Sequence, residues 1–249
     1  TYYGLDLYKR RALGELLGKL CEIEGIEWIR IHYSYPDQFP DDVLEIMASN
    51  PKICKYIDIP LQHSSSKVLK MMRRSIDGPQ TQAVIDRIKA KVPGVVLRTT
   101  LIVGHPGEGK RDFQELLDFA QEARFERLGA FMYSEEEGTY GAENFKDSIT
   151  KRTKQERLDA LMKLQSEISL ECNQARIGSE TDVIVDDFTD GVFVCRSEFE
   201  SPEVDGEILV KYDSALIGDV DPYSLIGEFI RVRITGADEY DLIAEVIEI

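Results

Sequence analysis

Cysteine is scarce and scattered in this 249-residue chain: Cys21, Cys54, Cys172 and Cys195 are the four present, and no two are close enough for a C-x-x-C clip or an iron–sulfur run. That spacing excludes a zinc ribbon. It reads instead as isolated thiols filling core positions, in keeping with a reducing, cytoplasmic location. Also missing is any run approaching the roughly 20 apolar residues of a membrane span, so no membrane association is expected. The opening Thr-Tyr-Tyr-Gly-Leu-Asp has neither a basic targeting region nor a leading Met, which leads us to expect a reading frame that starts upstream of Thr1.

Basic residues run short in one part of the chain only. Residues 1–176 carry 26 Lys and Arg against 27 Asp and Glu, whereas 177–249 carry 4 against 19, so nearly all of the net charge of −16 lies in the tail. With 43% hydrophobic residues, the length suffices for two cores. The change in character places a domain boundary near 176.

In the first part helical and strand patterns alternate, the signature of a parallel α/β sheet. Leu13, Leu16, Leu17, Leu20 and Ile23 recur at helical steps. Strands are expected over 28–33, 56–61, 95–103 and 127–133. Helices are expected from Pro40–Asp41, after the cap candidates Ser64–Ser66, around Pro79, and over 113–123. Four strands are half of a complete barrel, so the sheet is either open or lacks partners upstream. A long helix over 151–176, with Leu158, Leu161, Met162, Gln165, Ile168 and Cys172 on one face, stops at Gly178. Beyond it, five short strands at 182–187, 191–196, 207–212, 227–235 and 241–249, separated by Asp-Gly, Pro and Gly turns, suggest a small OB-like barrel.

In parallel folds chemistry gathers at the carboxyl ends of strands. The candidates there are Tyr33, Ser34 and Tyr35; Gln62 and His63; Arg98, Thr99 and Thr100 with the turn Gly104–Glu108; and Tyr133, Ser134 and Glu135. Taken singly each has a bland alternative. His63 reads first as a hydrogen-bonded structural residue, Arg98 as the partner of a buried carboxylate, and Gly104–Glu108 as a tight turn and nothing more. The Lys-Ser/Thr pair of a phosphate-binding P-loop is absent, as are a nucleophile elbow and a zinc signature.

The strings themselves carry more. Tyr56-Ile57-Asp58-Ile59-Pro60-Leu61-Gln62-His63, Leu97-Arg98-Thr99-Thr100-Leu101-Ile102-Val103-Gly104-His105-Pro106-Gly107-Glu108 and Tyr133-Ser134-Glu135-Glu136-Glu137-Gly138-Thr139 resemble, in order and spacing, the methylthiotransferase branch of radical-SAM enzymes. The segment 196–206 resembles the core of the appended TRAM domain, so the resemblance covers essentially the whole chain. It implies a partial parallel βα barrel of six strands, of which the four read here would be the third to sixth. The domains would be 1–176 and a TRAM barrel at 177–249. Two [4Fe-4S] clusters are implied for the full-length enzyme, on cysteines this sequence lacks; the fragment is therefore expected to hold none, and to be inert alone in cleaving S-adenosylmethionine and inserting a methylthio group.

Carried over by position, the resemblance sets Gln62, His63, Arg98, Thr100, Ile102, Gly104 and Tyr133 against S-adenosylmethionine. Tyr33, Tyr35, Glu135, Glu136, Glu203 and Asp205 are the residues expected to meet substrate. The usual Phe before Pro-Gly-Glu is His105, and the usual Thr after it is Gly109, so roles for His105 and Glu108 do not carry over. No residue is assigned a direct catalytic role, and no metal ligand is expected.

Two branches of the family differ in target, an adenosine of transfer RNA or an aspartate of small-subunit ribosomal protein S twelve. A tail with 4 basic groups against 19 acidic ones would repel a phosphate backbone and attract a basic protein. We therefore expect the ribosomal protein, free or in the ribosome, as partner, and not nucleic acid. The alternatives are the transfer-RNA branch, or a non-enzymatic acidic module that binds a basic protein.

Overall fold

The computed structural model describes residues 1–213, 218 and 220–248. Among them the chain divides into two compact units, Thr1–Gln165 and Ser166–Ile249. The helix α7 (Lys151–Gln174) contributes residues to both.

The first unit follows the alternation read from the sequence: α1 (Leu13–Cys21), β1 (Ile29–Ile31), α2 (Asp41–Ser49), β2 (Ile53–Asp58), α3 (Ser66–Met71), α4 (Gly78–Lys91), β3 (Val96–Val103), α5 (Lys110–Ala123), β4 (Arg127–Met132) and α6 (Tyr140–Asn144). The four strands pair in chain order, β1-β2-β3-β4, and every pairing is parallel. Each connection therefore has to cross the sheet, which is the work of the helices. Ile23, expected on the first helix face, lies beyond its end and is exposed.

β3 alternates strictly. Leu97, Thr99, Leu101 and Val103 are buried, while Val96, Arg98, Thr100 and Ile102 share the other, half-buried face. The buried face packs with Ile57, Met47, Ile88, Leu116 and Phe125 in a single apolar cluster. Caps set the helix starts. Asp77 and Gln80 form a reciprocal capping box on α4, with Pro79 in its first turn. At α5 the Asp112 carboxylate accepts the Gly109 N–H at 2.8 Å.

The second unit contains β5 (Glu180–Thr189), β6 (Val192–Arg196), β7 (Ile208–Lys211), a 3₁₀ turn at Pro222–Leu225, β8 (Phe229–Ala237) and β9 (Leu242–Glu248). They close into a barrel in the order β5-β6-β7-β9-β8, with one parallel seam, β7 to β9. Asp190 and Gly191, both at positive φ, make the two-residue turn between β5 and β6, as the right-handed strand twist favours. Phe193, Val185, Val210, Val232, Ile234 and Leu242 fill the barrel. Ile249, read as the end of the last strand, lies outside the described residues.

Candidate functional site

At the carboxyl ends of β2, β3 and β4 the first unit opens into a cavity of about 390 Å³. Three of the residues expected to lie against S-adenosylmethionine line it: Gln62, Ile102 and Tyr133. Gln62 reaches it through a lone parallel bridge beyond β2. Its N–H donates to the Thr100 carbonyl at 2.9 Å, its carbonyl accepts from the Ile102 N–H at 2.8 Å, and its φ of 72° turns the chain away. Ile102 comes from the half-buried face of β3. Arg98 and Thr100 share that face but do not line the cavity, and Arg98 Nη1 lies 3.4 Å from each carboxylate oxygen of Asp58 on β2.

His63 is fully buried. Its Nδ1 accepts the N–H groups of Ser64 and Ser65 at 3.0 and 2.9 Å, which leaves the neutral ring's proton on Nε2. Nε2 faces Glu108 Oε2 at 3.8 Å, too far for a hydrogen bond. The geometry is structural at one ring nitrogen and open at the other.

The turn after β3 is held from two sides. Gly104 sits at φ 77°, and a Cβ there would lie 2.4 Å from Lys154 Cγ, so only glycine fits. Glu108, buried, accepts the N–H groups of Gly104 and His105 at one oxygen (2.5 and 3.2 Å) and Arg157 Nη1 at the other (2.8 Å). Lys154 Nζ donates to the Tyr133 carbonyl at 2.8 Å and pairs with Asp147 at 2.5 Å. Lys154 and Arg157 lie three residues apart on α7. In the sequence the apolar face of that helix stands out, and Lys154 and Arg157 are two of its five basic residues, with nothing local to mark them as a clamp.

Tyr133 turns its ring edge-on to His105, 5.0 Å between centroids. Burial, then the nearby Glu135, Asp147 and Glu136, push the Tyr133 hydroxyl above its ordinary pKa, and this buried oxygen has no hydrogen-bond partner among the described residues. Burial likewise holds the His105 imidazole below its usual value, more than offsetting the carbonyl of Pro106 and the charge of Glu108. The cavity therefore presents a neutral ring and an unused hydroxyl.

The residues expected to meet substrate separate. Glu136 lines the cavity, and Glu135 beside it is exposed. Tyr35 lies under the guanidinium of Arg74, 4.6 Å from ring centroid to Cζ, and Arg74 itself lines the cavity. Tyr33, at φ 56°, is 79% exposed. Glu203 and Asp205 belong to the second unit, where with Asp186, Asp187, Glu207 and Asp241 they surround a separate cavity of about 510 Å³. Its one arginine, Arg196, is already paired with Asp186 at 2.9 Å. The loop carrying Glu203 is fixed by buried Glu200, which accepts from Ser197 and pairs with Arg176 at 2.5 Å.

Ser134, a candidate from the sequence, lines the first cavity with Thr139 and Gly141, and so do Met71, Met72, Arg74 and Tyr140, which no sequence signal marked. The Met-Met pair closes a short helix and looks like ordinary apolar surface. Tyr140 begins α6, a five-residue helix started by the Thr139 hydroxyl, too short to leave a periodic pattern.

Comparison with known proteins places these sites in a family setting. Residues 3–120 match the radical SAM superfamily, and 177–247 match the TRAM domain. The ribosomal protein uS12 methylthiotransferase RimO of Phocaeicola vulgatus is 47% identical over 247 residues, covering 99% of this chain and 56% of that protein. The protein of the same name from Cytophaga hutchinsonii is 49% identical over 248 residues, covering 100% and 55%. The chain thus spans about half the length of the curated relatives it matches. Among solved structures, coproporphyrinogen III oxidase (HemN) from Escherichia coli, described as a radical SAM enzyme, aligns with a TM-score of 0.49 at 18% identity, over 63% of this chain and 36% of that one.

Proposed function

This chain belongs to the radical SAM methylthiotransferase family, and on that premise we propose that the full-length protein adds a methylthio group to an aspartate of ribosomal protein uS12. The first unit supplies the wall of the reaction pocket and the second docks the basic protein. The observation that carries the choice of partner is the cavity of the second unit, where six carboxylates face one arginine that is already paired. Such a surface draws in Lys and Arg side chains and repels phosphate.

S-adenosylmethionine fits the cavity of the first unit. A volume of about 390 Å³ is in the range of small-ligand sites, Ile102 and Met132 offer apolar surface to an aromatic base, and the Tyr133 hydroxyl is an unused donor. When bound it supplies the hydrogen-abstracting chemistry. Gln62, Ile102 and Tyr133 hold it directly. Gly104 leaves room for Lys154 behind the turn, Glu108 fixes the turn, and His63, Arg98 and Thr100 support the strand ends. Tyr33, Tyr35, Glu135 and Glu136 meet the protein substrate at the rim; Glu203 and Asp205 meet its basic side chains.

The iron–sulfur cluster that the family implies does not fit the residues described: no group of three or more His, Cys, Asp or Glu side chains among them is placed to hold a metal. These residues bind, orient and exclude water; they do not ligate iron.

Titration of the chain with uS12 and with bulk transfer RNA, each at low and moderate salt, tests the choice of partner. Salt-sensitive binding to uS12 alone is expected. Preference for transfer RNA would overturn the charge argument and favour the nucleic-acid branch.

A further inference from the structure

Arg74 stands on the wall of the first cavity as a cation without a counter-ion. Its Nη2 donates to the Pro60 carbonyl at 2.7 Å and its guanidinium lies over the Tyr35 ring, but no carboxylate of the described residues reaches ion-pairing distance. Glu136 lines the same cavity, and among the described residues it forms no ion pair with Arg74. Burial lowers the Arg74 pKa, so the group has been partly stripped of water without a compensating charge. A half-desolvated guanidinium is costly unless something anionic meets it, and its planar fork matches a carboxylate in particular. Pro60 and Tyr35 fix the plane of that fork, and Nη2 uses one of five donors; the other four meet no acceptor among the described residues.

We propose that Arg74 receives the side-chain carboxylate of the aspartate to be modified, and so lets the pocket distinguish aspartate from asparagine. This rests on the reading that uS12 is the substrate. Arg74 positions the substrate: with the carboxylate held, the neighbouring side-chain carbon is oriented in the cavity lined by Ile102 and Tyr133.

The test compares two forms of uS12 by calorimetric titration of the chain, one with the target aspartate and one with asparagine in its place. The unsubstituted chain should prefer aspartate by roughly tenfold or more, the scale of a charge-assisted hydrogen bond. Arg74→Met should bring the ratio to about one, and Arg74→Lys should restore part of it. Should Arg74→Met fail to fold, judged by its melting curve, Arg74→Lys and Arg74→Gln read the same ratio. A preference that survives Arg74→Met or Arg74→Gln, or no preference in the unsubstituted chain, overturns the proposal while leaving uS12 binding intact. Loss of S-adenosylhomocysteine binding but not of methylthioadenosine binding would give the guanidinium to the cofactor's carboxylate and also overturn it. If neither form of uS12 binds, the proposed function fails, and this role of Arg74 with it.

Discussion

Arg157 Nη1 meets Glu108 Oε1 at 2.8 Å, with the carboxylate side chain fully buried and the guanidinium 11% exposed. Through this pair α7 holds the turn after β3 whose N–H groups rest on the other oxygen of Glu108. A buried pair adds little over apolar residues of the same size, but losing one partner strands the other.

Glu108→Gln should therefore cost roughly 3–5 kcal/mol of stability, measured by urea denaturation. The amide keeps the shape and one acceptor but leaves the Arg157 charge unmatched. A loss under about 1 kcal/mol would mean that the pair is solvated and the turn is held by other contacts.

Gly104 and Gly25 both adopt positive φ, but a Cβ at Gly25 meets nothing within 4 Å, whereas at Gly104 it would lie 2.4 Å from Lys154 Cγ. Gly25→Ala should cost about 1–2 kcal/mol, the strain of a left-handed conformation. Gly104→Ala should cost more, because Lys154 has to leave Tyr133 and Asp147 to make room. Equal losses in thermal unfolding would refute the steric part.

His105 gives a pH signature. In the unfolded chain it takes up a proton below about pH 6.5, while burial holds the folded-state pKa lower. Between those two values the unfolded state binds more protons, so stability falls as pH drops from about 7, and the loss levels off below the folded pKa. His105→Phe, packed in the same way against Tyr133 and Phe145, should remove this component. The difference in unfolding free energy between the two proteins, measured across pH 5–7.5, should therefore slope with pH; a flat difference contradicts a buried neutral ring.

Cys195 is buried, and burial together with Asp186 pushes its thiol up to about 12. The thiolate is the reactive form. Iodoacetamide at pH 8 should leave Cys195 unmodified in the folded protein and label the partly exposed Cys172 before it, as peptide mass spectrometry would show. Early labelling of Cys195 would place it at an opened barrel.

The architecture was legible wherever hydrophobic period and turn chemistry agree. The alternation in 96–103, the Pro79 start of α4 and the Asp190-Gly191 hairpin all follow from local rules. Side-chain partnerships between distant segments were not legible. Nothing local tells that Lys154 caps the Tyr133 carbonyl, or that Arg74 stacks on Tyr35. Ser65 shows the same limit: it is the N-cap residue of α3 as read, but its hydroxyl donates to Asp112 at 2.9 Å, 47 residues away, and not to the helix. Arg98 was recognisable as a charge inside a strand, but that its partner is Asp58 follows only from the β2–β3 register.

The parallel seam of the small barrel bears on how the chain is made. β9 fits between β7 and β8, so until residues 242–248 leave the ribosome both neighbours present bare edges. An uncovered strand edge is a template for pairing with other chains. Glu180, Asp182, Arg231 and Arg233, charged and alternating along β5 and β8, already tie those two strands together across their surface. The acidity of this module would also keep half-made copies apart during synthesis.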